Sequence, residues 1–180
     1  MVITPSMNEF ILHWGEMGTR WGINRTVAQV HALLYLSDDP LTAEEISDTL
    51  AVARSNVSTS LRELQNWDLV HAVPRLGDRR DRFHTTHDVW QLFLTVIDQR
   101  VEREILPTLA LLRRCAANAR AERPAQPSVT QRITTMQDFF EESHSWYQNM
   151  KSLPISTLRA LMRIGPGIAR LLPGRKRKTA

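Results

Sequence analysis

The stretch LTAEEISDTLAVARSNVSTSLRELQNWDLVHAVPRLGDRRDRFHT, residues 41–85, decides the fold. Thr42-Ala43-Glu44-Glu45 has the spacing of a capping box, in which a Thr hydroxyl and a Glu carboxylate satisfy the free N–H groups of a helix start. It opens a short helix through Leu50, with Ile46 and Leu50 inward at i, i+4. A tight turn at Ala51-Val52-Ala53 leads to a helix over 54–67 whose inward positions are Val57, Leu61 and Leu64. Leu69 to Val73 has the composition and length of a strand, Pro74 to Asp81 reads as a charged loop around Gly77-Asp78, and Arg82 to Thr85 returns as a second strand. The expectation is a β-hairpin whose loop is longer than a tight turn.

Working outward, Ser6-x-x-Glu9 predicts a capped helix start, followed by Phe10, Ile11, Trp14, Met17, Gly18 and Trp21 near helical spacing. A second helix runs over 25–36 with Val27, Val30, Leu33 and Leu34 inward, broken by Ser37-Asp38-Asp39-Pro40. Helix, short capped helix, tight turn, polar-faced helix and Arg-rich hairpin, in this order, predict a winged helix-turn-helix: a mainly α fold with a small β-hairpin wing.

The outward side of the 54–67 helix carries Arg54, Ser55, Asn56, Ser58, Thr59 and Arg62. A helix fits the major groove of DNA. Asn pairs bidentately with adenine, Arg with guanine or phosphate, and Ser and Thr hydroxyls suit phosphate oxygens. Arg75, Arg79, Arg80 and Arg82 form a candidate wing that lies along the backbone or enters the minor groove. Double-stranded DNA is the expected partner, read by sequence-specific contacts. A winged helix that binds a protein, or DNA without sequence choice, is the alternative. Residues 25–85 hold seven basic and nine acidic residues, so DNA binding requires Asp38, Asp39, Glu44, Glu45 and Asp48 to lie away from the contact face.

Residues 41–70, with Gly77-Asp-Arg-Arg-Asp81, resemble MarR-type regulators and specifically the GbsR subgroup. Trp14-Gly15, Trp21-Gly22 and Ala28-x-x-His31-Ala-Leu-Leu-Tyr-Leu36 extend the likeness, which covers about residues 8–150. Ser55 and Asp68 replace customary glycines of that pattern. Asp tolerates a left-handed helix end, whereas the added Ser55 hydroxyl prevents transfer of a base preference. The resemblance implies a cytoplasmic homodimer that represses or activates a nearby operon. Some members of that subgroup respond to quaternary ammonium compounds, so Trp14, Trp21, Trp90, Trp146 and Tyr147 are read either as a candidate aromatic cage for such an effector or as core and interface packing.

From His87 to about Asn118 the pattern predicts a long helix, with Trp90, Leu94, Ile97, Val101, Ile105, Leu109 and Leu112 near a 3.5-residue repeat and Pro107 kinking or interrupting it. After a linker at 122–127, Ser128-x-x-Gln131 is the expected cap of a helix to about Met150, with Ile133, Met136, Phe140, Tyr147 and Met150 on one face. Trp90, Leu94, Ile97, Val101, Ile105, Ile133 and Phe140 are the candidate dimer contacts. The expected organisation is an N-terminal helix (1–23), a winged helix-turn-helix (24–87), a helical dimerisation and effector region (88–172) and a basic tail (173–180).

Charge is unevenly spread. The net +4 arises because residues 151–180 hold eight basic and no acidic side chains, leaving residues 1–150 at −4. The basic balance therefore reports the tail. The single Cys115 excludes an intrachain disulfide framework and a Cys-based zinc finger, and fits a reducing cytoplasm. It reads as a small core residue, or as a redox-sensing thiol beside Arg113 and Arg114. Met1 to Pro5 shows no basic leader, and no stretch has the roughly 20 apolar residues of a membrane span. His84, His87 and Asp88 read as a strand end and helix start, with Thr86 as N-cap, and not as metal ligands. No Gly-rich phosphate loop, HExxH or nucleophile elbow occurs, so neither an enzyme nor a cofactor is expected.

Overall fold

The computed structural model describes residues 2–124 and 126–164. The expected tail, 173–180, and the stretch after Ile164 lie outside the described residues. The chain forms two compact units, Met1–Gln99 and Arg100–Ala180. The first therefore holds both the N-terminal helix and the winged helix.

In the first unit, α1 (Pro5–Arg20) and α2 (Arg25–Tyr35) are followed by β1 (Leu41–Thr42), α3 (Ala43–Leu50), α4 (Arg54–Asn66), β2 (His71–Arg75), β3 (Asp78–His84) and α5 (Val89–Arg100). The capping spacing at Ser6 is not used. Thr4 is the N-cap, its hydroxyl accepting from the Met7 N–H at 3.3 Å, and Pro5 takes the first helical position. Pro suits that site because it lacks the N–H that would go unsatisfied and its φ is preset for a helix.

The core gathers Val30, Leu33 and Leu34 of α2, Ile46 of α3, and Val57, Leu61 and Leu64 of α4, all buried. Each such side chain gains about 1.5–3 kcal/mol on leaving water. This contact fixes which side of α4 is left outside. The α3–α4 turn follows from Ala51 in the left-handed region, φ 52°, while the Ser47 hydroxyl donates to the Val52 carbonyl at 2.7 Å. Asp68, at φ 57°, ends the α4 segment in the left-handed conformation expected there.

The sheet has three antiparallel strands in the order β1-β3-β2. β1 was not foreseen, because a two-residue strand carries no alternation to read. The hairpin also differs from expectation. Arg75 pairs with Asp78, so only Leu76 and Gly77 form the turn, with Gly77 at φ 82°. Gly supplies the positive φ that a two-residue connection demands. Pro74 sits at a register shift between Val73 and Arg75, where a residue without an N–H is tolerated. Arg79 and Arg80 consequently stand on a strand and not in a loop.

In the second unit, a π-helical turn (Val101–Ile105) precedes α6 (Leu106–Ala121), then α7 (Pro127–Lys151) and α8 (Ile155–Ile164). The expected interruption thus falls just before Pro107, with the Leu106 N–H donating five residues back to the Val101 carbonyl. Pro107 itself has no N–H for the carbonyl four residues back and crowds it. α7 starts at Pro127 with no side-chain cap, so the expected Ser128 cap is not formed. α6 packs on α7 and buries Leu109, Ala116 and Ala119, while Arg113 Nε meets Glu141 Oε1 at 2.8 Å.

α1 lies close on α2 because Gly15 and Gly18 face it. A Cβ at Gly18 would sit 2.5 Å from the Cβ of Ala28, and one at Gly15 would sit 2.7 Å from Cγ of Gln29. Gly18→Ala should therefore destabilise the fold by about 1–3 kcal/mol, since overpacking outweighs the gain in helix propensity. Urea unfolding checks it, with the exposed Glu16→Ala expected to be near neutral.

Candidate nucleic-acid interface

α4 separates its residues cleanly. Val57, Ser60, Leu61 and Leu64 are buried, while Arg54, Ser55, Asn56, Ser58, Thr59 and Arg62 are all exposed. Gln65, exposed three residues beyond Arg62, continues this face and was missed, although its helical spacing signals it. Ala53 occupies the N-cap of α4 without a side-chain bond, and the first turn holds no acidic residue. The Asn56 N–H donates to the Ala53 carbonyl at 2.9 Å, and no side-chain cap stands between the positive dipole end and an anion.

The wing arginines have unequal surroundings. Arg79 is exposed. Arg80 and Arg82, two apart, share the other face of β3. Arg82 is mostly buried, its side chain 15% exposed, and its Nη1 donates to the Pro40 carbonyl at 3.0 Å and lies 3.4 Å from Glu45 Oε2. It fastens the wing to α3. Arg80 Nη1 lies 3.6 Å from Glu44 Oε2. Arg75 ends β2 beside the turn. The requirement that Glu44 and Glu45 lie away from the arginines is thus not met: the antiparallel pairing of β1 with β3 brings the start of α3 against Arg80 and Arg82.

Glu45 closes the capping box. Its Oε2 accepts from the Thr42 N–H at 2.7 Å and the Thr42 hydroxyl at 2.9 Å, while the Glu45 N–H donates to Thr42 Oγ1 at 3.2 Å. The Thr42 backbone N–H, then its hydroxyl, then Arg82 and Arg80 hold the Glu45 carboxyl below the usual carboxylate range.

His31 of α2 is buried. Its Nε2 lies 3.4 Å from Oγ1 of Thr85, whose hydroxyl donates to the Leu69 carbonyl at 2.7 Å. This node joins α2 to the exit of α4 and to the end of β3. Burial lowers the His31 pKa to about 4. The folded state therefore keeps His31 neutral, whereas the unfolded chain takes up a proton below about 6.5. Stability should fall as pH drops from about 6.5 toward 4, by about 2 kcal/mol at pH 5. Denaturant melts between pH 7 and 5 should show this slope, and His31→Leu should flatten it.

Trp14 stacks on Phe10 at 5.4 Å, and Phe10 stacks on Tyr35 at 6.4 Å. Trp21 is exposed at the C-cap of α1. Seven residues separate Trp14 from Trp21, about 10 Å along the helix. Trp90 makes an edge contact with Phe93 at 6.3 Å, Trp146 is exposed on α7 and Tyr147 is half-buried. Cys115 is a free, half-buried thiol on α6. Among the described residues no cluster of three or more His, Cys, Asp or Glu could hold a metal, and no helix is long and apolar enough to cross a membrane.

The model of one family, described as MarR family, matches residues 21–81. Two curated proteins of Bacillus subtilis (strain 168) are similar. The putative HTH-type transcriptional regulator YvaV is 25% identical over 95 residues, covering 53% of this chain and 54% of that protein. The HTH-type transcriptional repressor GbsR is 21% identical over 136 residues, covering 74% of this chain and 75% of that protein. The chain thus spans about half the length of the first relative and three quarters of the second. A crystal structure of a transcriptional regulator superposes with TM-score 0.66 at 21% identity, covering 81% of this chain and 95% of that one. That likeness shows the fold.

Proposed function

We propose that the protein is a DNA-binding transcriptional regulator, a cytoplasmic homodimer that reads an operator with α4 and represses a nearby operon, a reading supported by the match of residues 21–81 to the MarR family model. One observation carries the reading: the whole polar face of α4, Arg54 to Arg62, is open, above a stripe fixed in the core. Arg62 and Asn56 supply bidentate chemistry for base edges. Ser55, Ser58, Thr59 and the uncapped helix start suit phosphate oxygens. Arg79 and Arg80 add backbone contacts from the wing.

Two-fold binding requires a second copy. α7 supports it: the helix has no buried residue, and Met136, Phe139 and Trp146 are 50%, 62% and 64% exposed. Val129, Met136, Phe139 and Trp146 follow one another at seven, three and seven residues, the spacing of an interhelical seam. On α5, Trp90, Leu94 and Ile97 are only half-buried, as are Val101 and Ile105 of the π turn and Ile133 and Phe140 of α7.

Selection from a random duplex pool, followed by competition with scrambled DNA, tests the reading. A regulator should prefer its site by at least ~10³. Arg62→Ala should cost about 1–3 kcal/mol on that site and much less on scrambled DNA. Equal losses on both would favour a module that binds without sequence choice, and no binding to either would favour a protein partner. Phe139→Glu should shift the sedimenting species from dimer to monomer and weaken operator binding in parallel. A native chain that sediments as a monomer at micromolar concentration would contradict the dimer.

A further inference from the structure

Glu44 and Glu45 are neighbours in sequence with different tasks. Glu45 takes the N3 position of α3 and is committed to Thr42 and Arg82. Glu44, one residue earlier, takes no part in that box. It gains slightly from the helix dipole, and its carboxylate stands 3.6 Å from the Arg80 guanidinium, with the two side chains 56% and 53% exposed. A carboxylate oxygen and a phosphate oxygen compete for the same guanidinium donors.

Building on the DNA-binding reading above, we propose that Glu44 is a built-in rival of the DNA backbone for Arg80, limiting the grip of the wing without affecting sequence choice. The contrast with Arg82 marks the difference between a strap and an exchangeable contact. Arg82 is buried against Pro40 and Glu45, and releasing it would open the wing. Arg80 is half in solvent and can turn from a carboxylate to a phosphate with the strand in place. The wing therefore binds DNA by exchange, giving up the Glu44 contact of Arg80 as it gains a phosphate. An exposed pair is worth up to about 1 kcal/mol, so removing the rival should tighten binding about 2–5-fold.

The test is a double-mutant cycle on the full chain, read by fluorescence anisotropy on the selected duplex and on scrambled DNA, at about 50 and 200 mM salt. Glu44→Gln, Arg80→Ala, their combination and Asp48→Asn are compared. Asp48 lies one turn further along α3 and controls for simple loss of negative charge. Glu44→Gln should tighten both duplexes about 2–5-fold with their ratio unchanged, and more so at the lower salt. That gain should vanish in the Arg80→Ala background and exceed any gain from Asp48→Asn. No gain, a gain that persists without Arg80, or an equal gain from Asp48→Asn overturns the role of Glu44 while leaving DNA binding intact. Failure of the native chain to bind either duplex overturns the DNA reading, and this proposal with it.

Discussion

Oε2 of Glu45 receives both the N–H and the hydroxyl of Thr42 while the Arg82 guanidinium stands 3.4 Å away. The start of α3, the two-residue strand β1 and the middle of β3 therefore meet at one oxygen. Thr42 pairs with Arg82 in the sheet as well, so backbone and side chains hold the same register. With α3 seated in this way, Ile46 drops into the core against α4, and the orientation of α4 follows from its buried stripe. Rigid support of this kind holds the exposed side chains of α4 in fixed directions. The buried His31–Thr85–Leu69 node ties α2 to the chain just after α4 and just after β3.

Much of this was readable in the chain because its signals are local. Thr42 and Glu45 are three residues apart, and Val57, Leu61 and Leu64 repeat with the helix period, so the capped helix and the division of α4 into two faces followed from spacing alone. The wing was less legible. Pro74 and Gly77-Asp78 look like breakers over a broad loop, yet Pro74 is absorbed by a register shift and the turn closes over Leu76 and Gly77. The expected strand began at Leu69, whereas Leu69 and Val70 are buried ahead of β2 and the ladder starts at His71. The pairing of Glu44 with Arg80 and of Glu45 with Arg82 joins residues distant in sequence, and nothing in the local pattern around either partner announces it.

In the helical unit, periodicity identified α6 and α7 but not the detail at their starts. Pro107 displaced the helical hydrogen bonding into a π turn ahead of itself, and Pro127 set the first turn of α7 where a Ser cap was expected. At α1 and α7 a Pro at the first helical position, with its preset φ and no N–H to satisfy, sets the start ahead of the Ser cap expected from the spacing.

Pro74 has a further effect. β2 is an outer strand of the three-stranded sheet, and an outer strand offers a row of unsatisfied backbone groups to any other chain. A residue that cannot donate, set at an irregularity in the ladder, interrupts that row. β1, at two residues, is too short to recruit a neighbour on the opposite side. The ribbon is therefore guarded along both outer strands against pairing with a strand of another chain.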